Sequence, residues 1–171
     1  MLRYIVPVAF LLSLAADGAW AHVTLETGEA TAGSPYKAVF RVSHGCDGSA
    51  TTKITVKIPE GVIAVKPMPH AGWVIETTKG KYAKAYDYYG SKLDQGVVEV
   101  TWSGGNLPDA YYDEFVLRGM LAADLPGGMI YFPVVQECEK GVDRWIEIPE
   151  PGKTAEDYET PAPGLKVLPK H

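Results

Sequence analysis

The chain has 171 residues, of which 46% are hydrophobic and 22% are charged, and its formal net charge is −5 at pH 7. A mildly acidic chain lacks the basic patches with which proteins hold nucleic acids, so we expect no nucleic-acid partner. The residues from His22 to His171 are enough for one domain with its own hydrophobic core, and no internal repeat or linker divides them.

Residues 1–21 have the layout of a secretory signal peptide. Arg3 supplies the positive start, residues 5–16 are apolar, and residues 19–21 form a small-residue cleavage site. The sequence therefore predicts export to the periplasm, with His22 as the first residue of the mature protein. No later apolar run approaches the ~18 residues of a spanning helix, so we expect no membrane span after cleavage.

An N-terminal histidine combines two metal donors in one residue. The α-amine and the imidazole Nδ1 of His22 would close a six-membered chelate ring on one ion. Two nitrogens in one plane suit Cu(II), which prefers tetragonal nitrogen and oxygen coordination. Free α-amines have pKa values of about 7.7–8.0, so we expect the affinity to fall in acid. Any residue can follow a cleavage site, so a role without metal stays open.

The mature chain consists of short predicted strands separated by turns. Residues 52–58 alternate polar and apolar side chains, which places Ile54, Val56 and Ile58 on one face. Similar segments occur at 36–42, 72–77, 97–102, 114–121, 130–135 and 144–148. The chain holds 18 glycines and 13 prolines, and segments with helical periodicity are missing. This pattern predicts an antiparallel β-sandwich of the immunoglobulin or fibronectin type.

Two segments are less regular than the predicted strands. Residues 79–95 hold tyrosines among lysines, and we expect a hairpin or irregular connection whose amphipathic tyrosines cover the sheet. Residues 150–171 are polar and rich in proline. They predict a tail that lies in extended form along the domain, with Leu165 and Leu168 as its anchors.

Cys46 and Cys138 are the two cysteines of the chain. In an oxidising compartment an even pair predicts a structural disulfide, and closing such a long loop would stabilise the fold by roughly 2–4 kcal/mol. Thiolate ligation of Cu(I) is the alternative. No CxxC spacing or methionine-rich run accompanies the cysteines, so the disulfide is favoured.

The other histidines do not have the spacing of a zinc site. His44 lies two residues before Cys46, His70 lies in a predicted loop, and His171 is the last residue. No HxH, HxxxH or CxxC spacing occurs, so we expect structural or surface roles. His44 has an additional possibility, because a second imidazole near His22 would complete a histidine brace of three nitrogens.

Signatures of hydrolytic and phosphate-binding enzymes are missing. The chain has no GxSxG nucleophile elbow, and no glycine-rich loop precedes a helix. The pairs Gly104-Gly105 and Gly127-Gly128 are predicted to be turns between strands. We expect a protein without catalytic activity.

Glu114 lies near the start of a predicted strand, on the face opposite Phe115. From there its carboxylate could reach a metal at the rim of the sandwich, or it could be solvated or paired with Arg118. Trp145 is predicted to lie on the face opposite Ile146 and Ile148, away from the core. A tryptophan in that position would form the wall of a site or pack against another surface.

Several segments carry a resemblance to a known family: 21–25 (AHVTL), 41–46 (RVSHGC), 58–62 (IPEGV), 66–73 (KPMPHAGW), 100–105 (VTWSGG), 107–115 (LPDAYYDEF), 131–138 (YFPVVQEC) and 145–149 (WIEIP). On these segments, which extend over nearly all of the mature chain, the protein resembles the YcnI-like (DUF1775) family of exported copper-binding domains.

The resemblance implies a β-sandwich that binds one Cu(II) per chain through a single-histidine brace. It implies that His22 is the brace histidine, that Glu114 is the glutamate ligand, and that Trp145 is the tryptophan beside the metal. Family members often occur beside copper chaperones and importers, which implies such proteins as partners in copper trafficking or buffering. Some members carry a C-terminal membrane anchor, and this chain ends at His171 without one, which implies a diffusing periplasmic protein.

Two other functions remain open. Oxidative chemistry at a histidine-brace copper, as in polysaccharide monooxygenases, needs a second histidine, and His44 is the plausible supplier. A metal-free binding or adhesion sandwich would use the tyrosines as its contact face. A shift of the melting temperature by one equivalent of copper separates this last function from a copper-binding protein.

Overall fold

The computed structural model describes residues 22–170 as a β-sandwich with a small third sheet. The predicted signal peptide, residues 1–21, and His171 lie outside the described residues. The strands are β1 (Thr24–Leu25), β2 (Glu29–Thr31), β3 (Pro35–Val42), β4 (Thr51–Lys57), β5 (Val62–Pro67), β6 (Val74–Tyr88), β7 (Ser91–Leu107), β8 (Asp113–Leu121), β9 (Gly128–Tyr131), β10 (Val134–Cys138), β11 (Val142–Trp145) and β12 (Gly164–Leu168). A 3-10 turn spans Ala155–Asp157. Within residues 22–170, no helix has the length and apolarity to cross a membrane.

Two antiparallel sheets pack face to face. The first sheet has the strand order β1-β3-β8-β5, and the second has the order β11-β10-β4-β7-β6. Phe40 and Leu117 of the first sheet meet Ile54, Val56 and Trp102 of the second in one buried cluster. The predicted antiparallel β-sandwich is confirmed, and its core lies between these sheets.

Strand β4 follows the predicted alternation. Ile54 and Val56 are fully buried while Lys57 is exposed, because successive side chains of a strand point to opposite faces. The predicted strand at 130–135 is two strands, β9 and β10, separated by Phe132 and Pro133. Pro133 has no N–H to donate to a ladder, so pairing stops there.

Gly104 and Gly105 are not a turn, which corrects the prediction. Both lie inside β7, where its register with β4 shifts at a bulge. Gly104 has φ +78°, a left-handed conformation that favours glycine. A Cβ on Gly105 would lie 2.1 Å from Cε2 of Trp73. The glycine pair therefore forms the bulge and makes room for the indole ring.

Trp145 lies in the core, and the prediction of an outward face was wrong. Its side chain is 6% exposed, whereas Ile146 and Ile148 are 43% and 54% exposed. The register explains the reversal. Trp145 pairs with Val134, and Val134 pairs with Val56, which is fully buried. The strand ends at Trp145, so the two isoleucines lie beyond the paired sheet.

The segment 79–95 is part of the predicted hairpin, formed by β6 and β7. Tyr88 pairs with Ser91, so Tyr89 and Gly90 are the two loop residues. Both have positive φ, 46° and 81°, as a type I′ turn requires. Tyr86 is buried, and its hydroxyl donates to Glu60 Oε1 at 2.6 Å, so the end of the hairpin is fixed to the domain.

The C-terminal segment contributes the central strand of the third sheet. β12 pairs in parallel with β2 and antiparallel with β9. Leu165 and Val167 point inward and are buried, whereas Leu168 is only partly buried. The anchor at Leu165 is confirmed, and the second anchor is Val167 rather than Leu168, because residues 165 and 167 share one face of the strand. The extended strand of the tail is limited to Gly164–Leu168, after the 3-10 turn.

Candidate metal centre

The strand register brings His22 and His44 to the same end of the sandwich. His22 lies two residues before Thr24, the first residue of β1, and Thr24 pairs with Arg41 of β3. Continuing this register by two residues places position 22 beside position 43. His44, which follows the end of β3 by two residues, therefore lies near His22.

The two imidazoles pack against the same indole ring. The ring centroid of Trp145 lies 5.5 Å from that of His22 and 6.1 Å from that of His44. The contact with His44 is edge-on, at an interplanar angle of 82°, a geometry that aromatic rings favour. Both histidines thus pack against Trp145, and its place beside a metal stays a prediction.

A buried glutamine fixes this indole. Trp145 Nε1 donates to Gln136 Oε1 at 3.0 Å. Gln136 Nε2 donates to the His44 carbonyl and to Thr51 Oγ1, both at 2.7 Å. Since an indole N–H only donates and a carbonyl only accepts, these partners determine which amide atom faces which group. Gln136 therefore joins Trp145 to the backbone of His44.

Replacing Gln136 with leucine should destabilise the fold by about 3 kcal/mol or more, because it leaves the buried groups that it serves without partners. Urea unfolding of Gln136→Leu measures the loss. Gln95→Leu is the matched control, because Gln95 is exposed on β7. Equal stability of the two variants would show that the buried amide does not hold the centre together.

The backbone on both sides of His44 is constrained. Gly45 N donates to Asp109 Oδ1 at 2.8 Å, and a Cβ at Gly45 would lie 1.8 Å from the Ser49 carbonyl oxygen. Cys46 forms the predicted disulfide with Cys138. The segment 43–46 is thus held in place by the close approach of Gly45 to the Ser49 backbone, by the hydrogen bond to Asp109 and by the disulfide.

His44 also has a defined tautomer in its neutral form. Its Nδ1 is hydrogen-bonded to the Gly45 carbonyl. A carbonyl oxygen only accepts, so Nδ1 carries the proton and Nε2 carries the lone pair. A ring nitrogen with a lone pair is the form of histidine that ligates metal ions.

Two carboxylates that sequence reasoning missed lie close enough to these histidines for the histidines to affect their pKa values. Burial raises the pKa of Asp143, and the positive charge of His44 acts in the opposite direction. The side chain of Thr154 lowers the pKa of Glu156 by hydrogen bonding, and the positive charge of His22 adds to this. Asp143 shares the inward face of β11 with Trp145, and their spacing of two residues could have indicated this from the sequence. Glu156 lies in the 3-10 turn and has no such signal.

Glu114 lies on the outer face of the first sheet, opposite Phe115 as predicted. Thr24, Arg41 and Glu114 form one row across β1, β3 and β8. Arg41 Nε lies 3.6 Å from Glu114 Oε1, and its Nη2 lies 3.1 Å from Glu26 Oε1. The neighbour of Glu114 is thus Arg41 rather than Arg118. Strand β3 lies between β8 and β1, so the backbones of β8 and β1 are about 10 Å apart.

His70 is part of a separate cluster. Its Nε2 lies 2.9 Å from Asp113 Oδ2, and its ring centroid lies 5.0 Å from that of Phe115 and 6.0 Å from that of Trp73. These contacts agree with the structural role expected for this histidine.

The donor chemistry of the centre fits a copper ion through nitrogen. His22 and His44 bring imidazoles to one indole, and aromatic nitrogen suits copper. Within residues 22–170, no group of three or more His, Cys, Asp and Glu side chains is arranged to hold a metal ion. The ligand role of Glu114 stays a prediction, since its carboxylate faces Arg41.

Comparisons with known proteins agree with this fold. An uncharacterised protein from Nocardia farcinica, described as having an immunoglobulin-like fold, is 26% identical, with a TM-score of 0.62, and the match covers 86% of this chain and 98% of that chain. No curated protein matches. The family model described as a domain of unknown function, DUF1775, matches residues 22–167. The chain therefore belongs to the DUF1775 family, the YcnI-like domains.

Proposed function

We propose that the mature protein binds one Cu(II) at its N-terminus and serves in periplasmic copper trafficking or buffering, without catalysis of its own. The observation that carries the proposal is the packing of His22 and His44 on the fixed indole of Trp145. The start of the family match at His22, the residue predicted to follow the signal peptide, supports it further.

The chemistry follows from the position of His22. After cleavage its α-amine and Nδ1 would chelate one Cu(II), and the low ligand count would leave positions for water or for a donor from a partner protein. Such open positions suit a carrier, because a ligand of the acceptor can enter before a ligand of the donor leaves. Copper chaperones and an importer are the partners that this role requires.

Two residues compete for the remaining donor position. Glu114 would add a neutralising oxygen, but its approach requires the carboxylate to leave Arg41. His44 would add a third nitrogen, and it already touches the same indole as His22. A histidine pair is also what an oxidative copper enzyme would need, so His44 supports that function as the second candidate.

The test is a Cu(II) titration of protein whose intact mass verifies His22 as the first residue, read by electron paramagnetic resonance. The proposal expects one tetragonal site with nitrogen and oxygen donors. A correctly processed chain that binds no copper at one equivalent would refute it.

The third donor is identified by comparing two variants. Loss of a direct ligand should weaken copper binding by more than about 100-fold, since even supporting residues are worth 10–100-fold. Glu114→Gln shows that loss if the carboxylate binds, and His44→Ala shows it if the imidazole binds. Glu99→Gln, a strand glutamate of the second sheet, is the control. If all three variants keep wild-type affinity, neither residue is a ligand.

An assay for oxidative turnover of a substrate distinguishes a copper carrier from an oxidative copper enzyme. Copper-loaded protein supplied with a reductant, oxygen and polysaccharide should give no product if it is a carrier. Product formation that is lost in His44→Ala would establish the second candidate instead.

A further inference from the structure

Three cations lie side by side on the outer face of the first sheet. Lys37 of β3 pairs with Arg118 of β8, and Arg118 pairs with Lys66 of β5. All three residues are exposed. Residues directly opposite each other have Cβ atoms about 5 Å apart. We name Lys37, Arg118 and Lys66 the cationic row.

The cationic row has no acidic counterpart in the part of the chain that the structure describes. None of its members forms an ion pair there. A cation of the same face shows the usual arrangement, since Arg41 lies between Glu26 and Glu114. Like charges directly opposite each other destabilise a sheet. In a chain of net charge −5, such a row is unfavourable for the fold alone.

Two tyrosines turn one end of the cationic row into a recess. The tip of the β6–β7 hairpin brings Tyr88 and Tyr89 over β5 and β8. Their rings lie 4.8 Å apart, and Tyr89 is 79% exposed. With Lys66, Arg118 and the backbone at Gly119 they line a recess of about 50 Å³, which has room for a few water molecules.

We propose that this recess and the cationic row bind a phosphate group. A carboxylate carries one charge and two acceptor oxygens, whereas a phosphate has more of both and can engage several cations at once. The guanidinium of Arg118 matches a phosphate with two parallel hydrogen bonds, and lysine acts as a point charge beside it. Tyr88 and Tyr89, which also line the recess, carry hydroxyls that can donate hydrogen bonds without adding charge. The size of the recess fits one group and not a whole nucleotide.

The phosphate site is separate from the candidate metal centre. Residue 43 lies beside position 22 at the candidate metal centre. Lys37 lies six positions before residue 43, which corresponds to about 20 Å along the strand. Copper binding and phosphate binding can therefore fail independently, and the proposal does not depend on the function of His22.

The experiment measures phosphate binding by the full mature chain and by Lys66→Met. Methionine keeps the aliphatic stem and removes the charge. Lys57→Met, which removes an exposed lysine from the second sheet, is the matched control. Inorganic phosphate is titrated calorimetrically, and vesicles of phosphatidylglycerol and phosphatidylcholine in equal parts are tested by co-sedimentation. We expect Lys66→Met to weaken binding about tenfold, as the loss of one charge-assisted contact does, and added sodium chloride to weaken it further.

The two arms distinguish the source of the phosphate. Binding of inorganic phosphate identifies a free phosphate, and binding to vesicles alone identifies a lipid headgroup. Lys66→Met should also unfold at a higher urea concentration than the wild type, because it relieves the repulsion within the row. The proposal is overturned if neither probe binds, or if Lys57→Met weakens binding as much as Lys66→Met.

Discussion

Adding a tag that a protease can remove before His22 should lower the affinity for Cu(II) by more than about 100-fold, the range that even indirect supporting residues reach. The tag moves the α-amine several residues away, out of reach of Nδ1, and leaves an amide nitrogen in its place at His22. The six-membered chelate is lost while the imidazole, its contact with Trp145 and the fold remain. Competition with a calibrated chelator measures the change in dissociation constant.

The control uses the same molecule. An extension that ends in a protease site leaving no extra residue can be removed, which restores His22 as the first residue. Affinity should return after cleavage, and the melting temperature without copper should be the same before and after. Tight binding by the uncleaved protein would contradict the brace and would move the site to side chains alone.

Removing the disulfide should lower the stability of the fold markedly. The bridge joins residues 92 positions apart, and loss of a native disulfide from a small exported domain lowers the free energy of unfolding by about 2–5 kcal/mol. For a chain of this size that corresponds to a melting temperature lower by roughly 10 °C. Calorimetry of Cys46→Ala/Cys138→Ala measures it.

Reductant provides the control for the disulfide variant. Wild-type protein should shift to a lower melting temperature in dithiothreitol, and the variant should not respond. Because Cys46 follows His44 by two residues, the variant should also bind copper less tightly if His44 is a ligand. Equal melting temperatures for oxidised and reduced wild type would show that strand packing alone sets the stability.

The β-sandwich was predictable because, in a strand with one buried face, every second side chain is buried. Ile54 and Val56 in β4, and Phe115 against Glu114 in β8, lie on the faces that their alternation predicts. Trp145 was misassigned because local alternation gives two faces but does not say which is inner. That choice depends on the pairing of Trp145 with Val134, a residue of another strand.

The candidate centre was only partly predictable. His22 came from the cleavage site, and strand position singled out Glu114 and Trp145, whose roles beside a metal came from the resemblance. The meeting of His22 and His44 on one indole depends on the register of β1 with β3, which no spacing along the chain reveals. Gln136 had a signal, because it is a lone amide after two valines in a buried strand. Its partners, however, lie on other elements.

The position of His22 against the C-terminal segment makes completion of the candidate centre depend on residues far from His22 in the sequence. His22 and β1 line a recess together with Ala155 and residues 161–164, and β12 then holds the chain against β2. Under the proposed export, His22 would cross the membrane before these residues. The surroundings of His22 would then be incomplete until the C-terminal segment has also crossed. Capture of copper by the completed centre would report that both ends of the domain have reached the outer compartment.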